Sequence, residues 1–596
     1  MSELSDPLEA AYQRVRSALL AERTAVGHWV GELSSSALST ATAIMALAQV
    51  QRALGDERFA PLIAGGLRWL IAHQNADGGW GDTVLSFSNI STTMLCRAAL
   101  HLTGAVVRGE LATLESLRRA EAWLGERYGN TPSELSEAVR QRYGVDRTFA
   151  VPILATCAIA GLVEWREVPP LPFELACFPQ SWYRFLRLHV VSYALPALIA
   201  IGQAIHHFRP TWNPLTRTLR WATKKQSLTV LRAIQPSSGG YLEATPLTSF
   251  VTLSLASIGP AQHPVAVHAV EFLQKSVLAD GSWAIDSNLA TWVTTLSVNA
   301  LGSADDVAAL DRPETIRDWL LGQQYRERHP FTGADPGGWG WTDLPGSVPD
   351  ADDTPGAMLA LRHLTGWQRG EPRPPAIQLG TDWLLNLQNR DGGWPTFCRG
   401  WGHLPFDRSG TDLTAHVLRA LHAWRAIHPT SPAFVRGLDY LAQQQRHDGS
   451  WLPLWFGNQH ATDDENPTYG TAKVLAAYRD LGRWNDKPAI RGLHWLLANQ
   501  NADGGWGGGQ GTPSSMEETS LAMEILADTG TEADQALKTG TAWLIERLQH
   551  DDWHVPTPIG FYFAKLWYFE KMYPLVTAVA ALGRLRRRWR GENCTI

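Results

Sequence analysis

GLHWLLANQNADGGW, residues 492–506, carries the reading that decides the fold. An apolar pattern at helical spacing runs up to Gln500, Asp503 with Gly504 and Gly505 permits a tight turn, and Trp506 follows at once. The same grammar returns as QNADGGW (74–80), QNRDGGW (388–394) and QRHDGSW (445–451). Weaker copies are QPSSGGY (235–241), ADGSW ending at Trp283, PGGWGW around Trp339, and QHDDW ending at Trp553. From Trp283 onward the copies are spaced at roughly 55 residues, the signature of a stacked repeat architecture. A second helical pattern, such as TLSVNAL or TAHVLRALHAW, follows several of them. Each unit therefore reads as helix, Gly-rich turn, helix, with the Trp plugging the gap between units. Strand-like alternation is nearly absent. The expected fold is all-α, its helix-turn-helix hairpins closing into α/α barrels with one helix layer inside and one outside.

Composition bounds the function. At 596 residues the chain is too long for one ordinary core, and two domains are expected. The charged share of 18% is low against the usual ~25%, which points to a large apolar interior or an apolar surface patch. A net charge of -6 argues against nucleic acid as a partner. The five cysteines have no metal-site spacing and read as reduced thiols. MSELSDPLEAAYQRV lacks the pattern of a secretory signal, and LHVVSYALPALIAIGQAI (188–205) reads as a buried helix and not a membrane span. Twenty-seven Trp exceed what the repeats consume, so a cavity whose ring faces stabilise a cation is the functional reading beside ordinary core packing.

One stretch does not fit packing. PGSVPDADDTPGAMLAL (345–361) places Asp350, Asp352 and Asp353 within four residues, with no Lys or Arg between Arg328 and Arg362. Like charges that close raise a carboxyl pKa and keep a proton in the cluster. The QxxDGGW repeats together with this DxDDT motif resemble the squalene-hopene cyclase family of class II terpene cyclases, over nearly the whole chain. The resemblance implies that Asp352 stays protonated and acts as a Brønsted acid towards an alkene or epoxide, with Asp350 and Asp353 beside it. DLTAHVL (412–418) matches the family's histidine motif. It implies that His416 meets Asp352 and that Asp412, one helical turn away, holds the imidazolium in place.

Further positions carry over individually. Trp341, Phe397, Trp455, Trp292, Phe561, Tyr562 and Tyr568 match aromatic positions that would face carbocations. Glu243 stands where the family usually has a water-positioning Gln, and could deprotonate the last cation or orient water. Departures are Thr557 and Lys565 in place of aromatics around Phe561, DDTP for DDTA, and an acidic insertion, HATDDENP (460–467). The initiating end matches, whereas the wall for later cations differs.

The resemblance implies residues 1–33 packing on the catalytic barrel, 34–285 as an inserted barrel, and 286–596 as the catalytic barrel with the DADD motif. It implies no metal and no organic cofactor. The expected reaction converts squalene or a related linear polyprenyl substrate into a polycyclic triterpene. The alternatives are a polyprenyl of another length or an epoxide, and a catalytically silent lipid-binding relative. The expected partner is that lipid, and a homodimer is a further expectation. The expected location is cytoplasmic, peripheral on the inner face of the membrane. The segment 209–226, which mixes Trp212, Leu215, Leu219 and Trp221 with Arg217, Arg220, Lys224 and Lys225, suits an interfacial helix, and RLRRRWR (584–590) suits anionic head groups.

Overall fold

The computed structural model describes residues 5–105, 108–144, 147–179, 182, 194–330, 332–397, 405–550, 552–561 and 565–591. The repeat motif explains how the helices are assembled. Gly78 sits at φ +96°, a conformation side chains disfavour, and a Cβ there would lie 2.8 Å from Arg119 O. Asp77 Oδ1 accepts the Gly79 N–H at 3.1 Å, and Gln74 Nε2 donates to Gly78 O at 2.7 Å and to Ser116 O on the next outer helix at 2.9 Å. The Trp80 indole donates back to Leu70 O at 2.8 Å, while its backbone N–H donates forward to Thr93 Oγ1 on the next inner helix at 3.0 Å. One motif thus pins three helices. Trp283, Trp394, Trp451 and Trp506 repeat both contacts, as do their partners Thr40, Thr414, Thr471 and Thr519.

These links close two rings. The inner layer of the first, among the described residues, is Ala37–Leu54, Ile90–Leu102, Arg147–Ile159, Leu195–Phe208 and Thr245–Ser257, and the last packs on the first. The inner layer of the second is Ala290–Ser303, Asp353–Thr365, Thr411–Ala423, Pro467–Asp480, Met516–Leu526 and Tyr573–Trp589, again closed end to start. Outer helices flank each layer, and Pro132, Pro313, Pro375 and Pro432 open theirs at the position where a missing N–H costs nothing. The helix Ser5–Ala21 joins the outer layer of the second ring, against Tyr573–Trp589 and Asp534–Gln549.

Three sequence expectations change here. The plug that completes the second ring is Trp29, whose indole donates to Leu19 O at 2.7 Å and whose N–H reaches Thr294 Oγ1 at 3.0 Å. Trp553 instead stands half-buried in an irregular loop, followed by a hairpin of Ile559–Phe561 and Leu566–Tyr568. Part of the basic run faces inward. Arg584 and Arg586 are 3% and 9% exposed, and Arg584 pairs with Glu524 and Asp528 while Arg586 pairs with Glu9 and Asp306. Arg220, on the proposed interfacial helix, is also turned inward, 3.0 Å from Glu174.

Candidate active site

The acid stretch is positioned by its own repeat. Trp339 N–H donates to Thr354 Oγ1 at 3.0 Å, Asp350 N–H returns to Trp339 O at 3.0 Å, and Ala351 N–H reaches Thr396 O at 2.9 Å. The helix Asp353–Thr365 starts there, so three carboxyl groups meet the open amides of a helix N-terminus. Asp350 takes them: its Oδ1 accepts the N–H groups of Asp352 and Asp353 at 2.8 and 2.7 Å. Burial pushes its carboxyl up to about 7. Asp353 is buried too, and burial, reinforced by the charges of Asp350 and Asp352, pushes it well above the usual carboxylate range.

Asp352 differs. It keeps 30% of its side-chain surface open, and it faces a cavity of about 260 Å³. His416 Nδ1 lies 3.1 Å from its Oδ1, and the Trp292 indole donates to its Oδ2 at 3.2 Å. Burial works to raise Asp352, but His416, the Lys473 ammonium and the Trp292 N–H outweigh it and hold the group below its ordinary value. The sequence reading put the retained proton on Asp352. The structure adds that burial raises Asp353 and Asp350 while Asp352 receives stabilising N–H groups from other helices, so its two neighbours favour a proton more than it does. Burial keeps His416 below the usual imidazole range, so it is neutral at pH 7.

Asp412 does not orient His416. Its Oδ1 accepts the Leu454 backbone N–H at 3.1 Å, and burial raises it to about 6. A second, polar cavity of about 320 Å³ lies behind His416, lined in part by Lys473, Arg419, Glu524 and Arg584. Lys473 was missed from sequence. The available signal was a lone cation inside the apolar inner-helix run TYGTAKVLAAY.

Trp292, Trp341, Phe397, Trp455 and Tyr568 all line the acid's cavity, as do the unpredicted Phe406 and Phe456. Phe397 stacks on Phe406 with ring centres 5.0 Å apart, and the Trp455 indole donates to Thr396 Oγ1 at 2.7 Å. Phe149, Phe250 and Leu38 extend the wall into the first ring. Phe561 lies on the hairpin strand opposite Leu566, and Tyr562 lies outside the described residues.

Glu243 is not on the wall. It is 1% exposed, accepting the Gly346 N–H at 2.7 Å and the Ser238 hydroxyl at 2.6 Å, so it anchors the loop that leads to the acids. The two departures near the hairpin are tied elsewhere. Lys565 Nζ lies 2.7 Å from Asp464 of the acidic insertion, and Thr557 donates twice to Glu517, at 2.7 and 2.9 Å.

Known proteins agree with this architecture. The profile of the squalene-hopene cyclase C-terminal domain matches residues 289–587, and that of the N-terminal domain residues 12–207. Enfumafungin synthase of Hormonema carpetanum is 26% identical over 91% of this chain and 45% of its own length, so the chain spans less than half of that relative. The probable squalene–hopene cyclase of Sinorhizobium fredii is 24% identical over 90% of each chain. In fold, ent-copalyl diphosphate synthase from Streptomyces platensis superposes with a TM-score of 0.57 at 18% identity, covering 97% of this chain and 99% of that one. With both domain profiles matched in order and two α/α rings enclosing an acid-capped cavity, the chain belongs to the squalene-hopene cyclase family of class II terpene cyclases.

Proposed function

We propose that the protein cyclises a linear polyprenyl chain, squalene or a relative of it, with Asp352 as the proton donor. The observation that carries this reading is that Asp352 is the member of the acid cluster that receives N–H groups on both oxygens while opening onto an apolar, aromatic cavity. Those N–H groups stabilise the carboxylate left after proton transfer, which makes the carboxylic acid stronger. Asp353 and Asp350 hold the protons that refill it. Trp292, Trp341, Phe397, Trp455 and Tyr568 offer ring faces to successive cations, each contact worth about 0.5–2 kcal/mol.

The size of the cavity favours a second reading, a chain shorter than squalene. About 260 Å³ lies below the ~300–1,000 Å³ common for small-molecule sites. The names of the relatives, squalene–hopene cyclase and copalyl diphosphate synthase, divide along the same line.

The lipid would arrive from a membrane surface. No helix among the described residues is long and apolar enough to cross a bilayer. Trp212, Leu215, Trp221 and Trp182 are 100, 81, 79 and 58% exposed, close to the exposed cations Arg217, Lys224 and Lys225, an arrangement suited to interfacial docking.

The test is incubation with squalene, oxidosqualene and shorter polyprenyl substrates, with products read by mass spectrometry beside Asp352→Asn. Cyclic products are expected from the wild type alone, with a fall of about 10²–10⁴ in the variant. Cyclic products persisting in Asp352→Asn, or none from the folded wild type with any chain length, would reject the reading.

A further inference from the structure

The cavity wall carries a carboxyl group that the initiating cluster does not use. Asp286 lies in the link between the strand Trp283–Ala284 and the helix Ala290–Ser303, where the first ring passes into the second. It faces the cavity together with Ile285, Leu289, Trp292 and Trp341. Its backbone is clamped: Asp286 bridges Ala244, the Thr245 N–H donates to Ile285 O at 3.0 Å, and the Ser287 N–H donates to Glu243 O at 3.2 Å. The side chain is held as well, with Oδ1 accepting the Ser287 N–H at 2.7 Å. Behind it stands Glu243, whose Oε2 lies 3.4 Å from Ser287 Oγ. Ser287 thus touches both carboxyl groups, Asp286 on the wall through its backbone N–H and Glu243 behind it through its hydroxyl.

Among the described residues no Lys or Arg lines this cavity, so Asp286 is not there to neutralise a cationic side chain. Burial and the Glu243 charge push it well above the usual carboxylate range, which favours its protonated form. A resting carboxylate beside a carbocation would add to it as an ester. The protonated form avoids that fate and still offers a carbonyl oxygen to an acidic C–H.

A cyclisation that begins with a proton from Asp352 and yields an isomer must give a proton back. We propose that Asp286 accepts it, from the carbon adjacent to the last cation, with Glu243 taking the proton that Asp286 already holds. The C–H bond breaks and its electron pair becomes the new C=C bond. The proton goes to the carbonyl oxygen of Asp286, while the O–H proton that Asp286 already carried leaves for the Glu243 carboxylate behind it. No co-reactant is consumed. The inference rests on the cyclase reading and deepens it. Trp292 bonds to Asp352 and Trp341 lies beside Asp286 along the same wall, so the cation quenched is one formed early, and the product keeps unreacted chain beyond its rings.

The test compares the wild type with Asp286→Asn and Asp286→Glu, each checked for native unfolding behaviour. The principal alkene is expected to fall at least tenfold relative to other products in Asp286→Asn, while substrate is still consumed, and to return in part in Asp286→Glu. An unchanged product ratio in Asp286→Asn overturns the proposal, as does a wild-type product bearing a water-derived hydroxyl in place of that alkene. A polyprenyl tertiary amine, whose ammonium stands in for the cation, gives a readout without turnover. The bound ammonium should draw the proton off Asp286, so by calorimetry its affinity for the wild type should rise with pH relative to its affinity for Asp286→Asn, and the same pH dependence in both overturns the proposal. Loss of all cyclic products in the wild type while the amine still distinguishes the variants would instead count against the cyclase reading.

Discussion

Asp350, Asp352 and Asp353 share one helix start and end in three different states. Asp350 spends its oxygen on two backbone amides, Asp353 is buried with its proton, and Asp352 alone is drawn towards ionisation by groups from other helices. Their juxtaposition was legible in DADDT, and so was the partnership with His416. The division of labour was not, since it depends on Trp292 and Lys473, which are remote in sequence and adjacent only in the folded ring. It has a consequence in pH. Below about 7 the cluster holds protons on both Asp353 and Asp350, and one can be moved to Asp352. As pH rises through about 7, Asp350 loses its proton. Loading Asp352 from Asp353 would then leave two charged carboxylates in the interior. The turnover number for cyclisation is therefore expected to be level on the acid side and to fall about tenfold per pH unit above 7, as a single deprotonation does. A profile from pH 5 to 9 checks this, and a rate that rises through that range would contradict it.

At the scale of the element, the repeat works because each polar group of QxxDGGW has an obligatory partner. The Gln satisfies carbonyls at two places, the Gly adopts a backbone angle others avoid, and the Trp fills a fully buried slot while bonding in both directions. The sequence showed this grammar wherever Asp-Gly was present. It concealed Trp29, which makes the same two bonds without the DGG turn, since GHWVGEL reaches its slot from the opposite end of the chain. Trp29→Ala is expected to destabilise the protein by about 3–5 kcal/mol through the cavity it leaves. Trp29→Phe should cost less, about 1 kcal/mol from the lost indole bond together with a small volume change. Shifts of the urea unfolding transition measure both, and an effect of Trp29→Ala no larger than that of an exposed substitution would refute its role as a plug.

For the whole molecule, the two closed rings share an apolar cavity, with residues of both in its wall. Each ring is sealed by a plug distant in sequence, Trp283 on Thr40 and Trp29 on Thr294. The acidic insertion and the residue before it add a strap: Gln459 bonds Leu85 O and the Phe87 N–H across the rings, and Asp464 holds Lys565. The exposed indoles of the helix Pro214–Ala233 and the turn before it project from the first ring, which makes that ring the side on which the proposed membrane contact is to be tested. Replacing Leu215 and Trp221 by Glu should lower binding to vesicles containing anionic lipid at least tenfold. Leu215 alone is worth about 1.5–3 kcal/mol of burial, and each ~1.4 kcal/mol is a factor of ten. Vesicle sedimentation tests it, and unchanged partitioning would remove this face from consideration.

Apart from the aromatic positions, which came from the family resemblance, the sequence by itself determined the helix-turn-helix repeat, the all-α class and the acid stretch. Those features are written in local spacing: a Gly that allows a turn, a helical apolar period, three carboxylates in four residues. Tertiary structure alone decided which N–H groups meet each carboxyl of the cluster, that Asp412 serves a backbone amide, that Glu243 lies behind the wall while Asp286 stands on it, and that Arg584 and Arg586 form internal ion pairs. Each of those depends on which charges and N–H groups a side chain meets once the rings close. Partners such as Asp352 and His416 lie 64 positions apart, and Trp29 and Thr294 lie 265 apart, so packing rather than local pattern sets their chemistry.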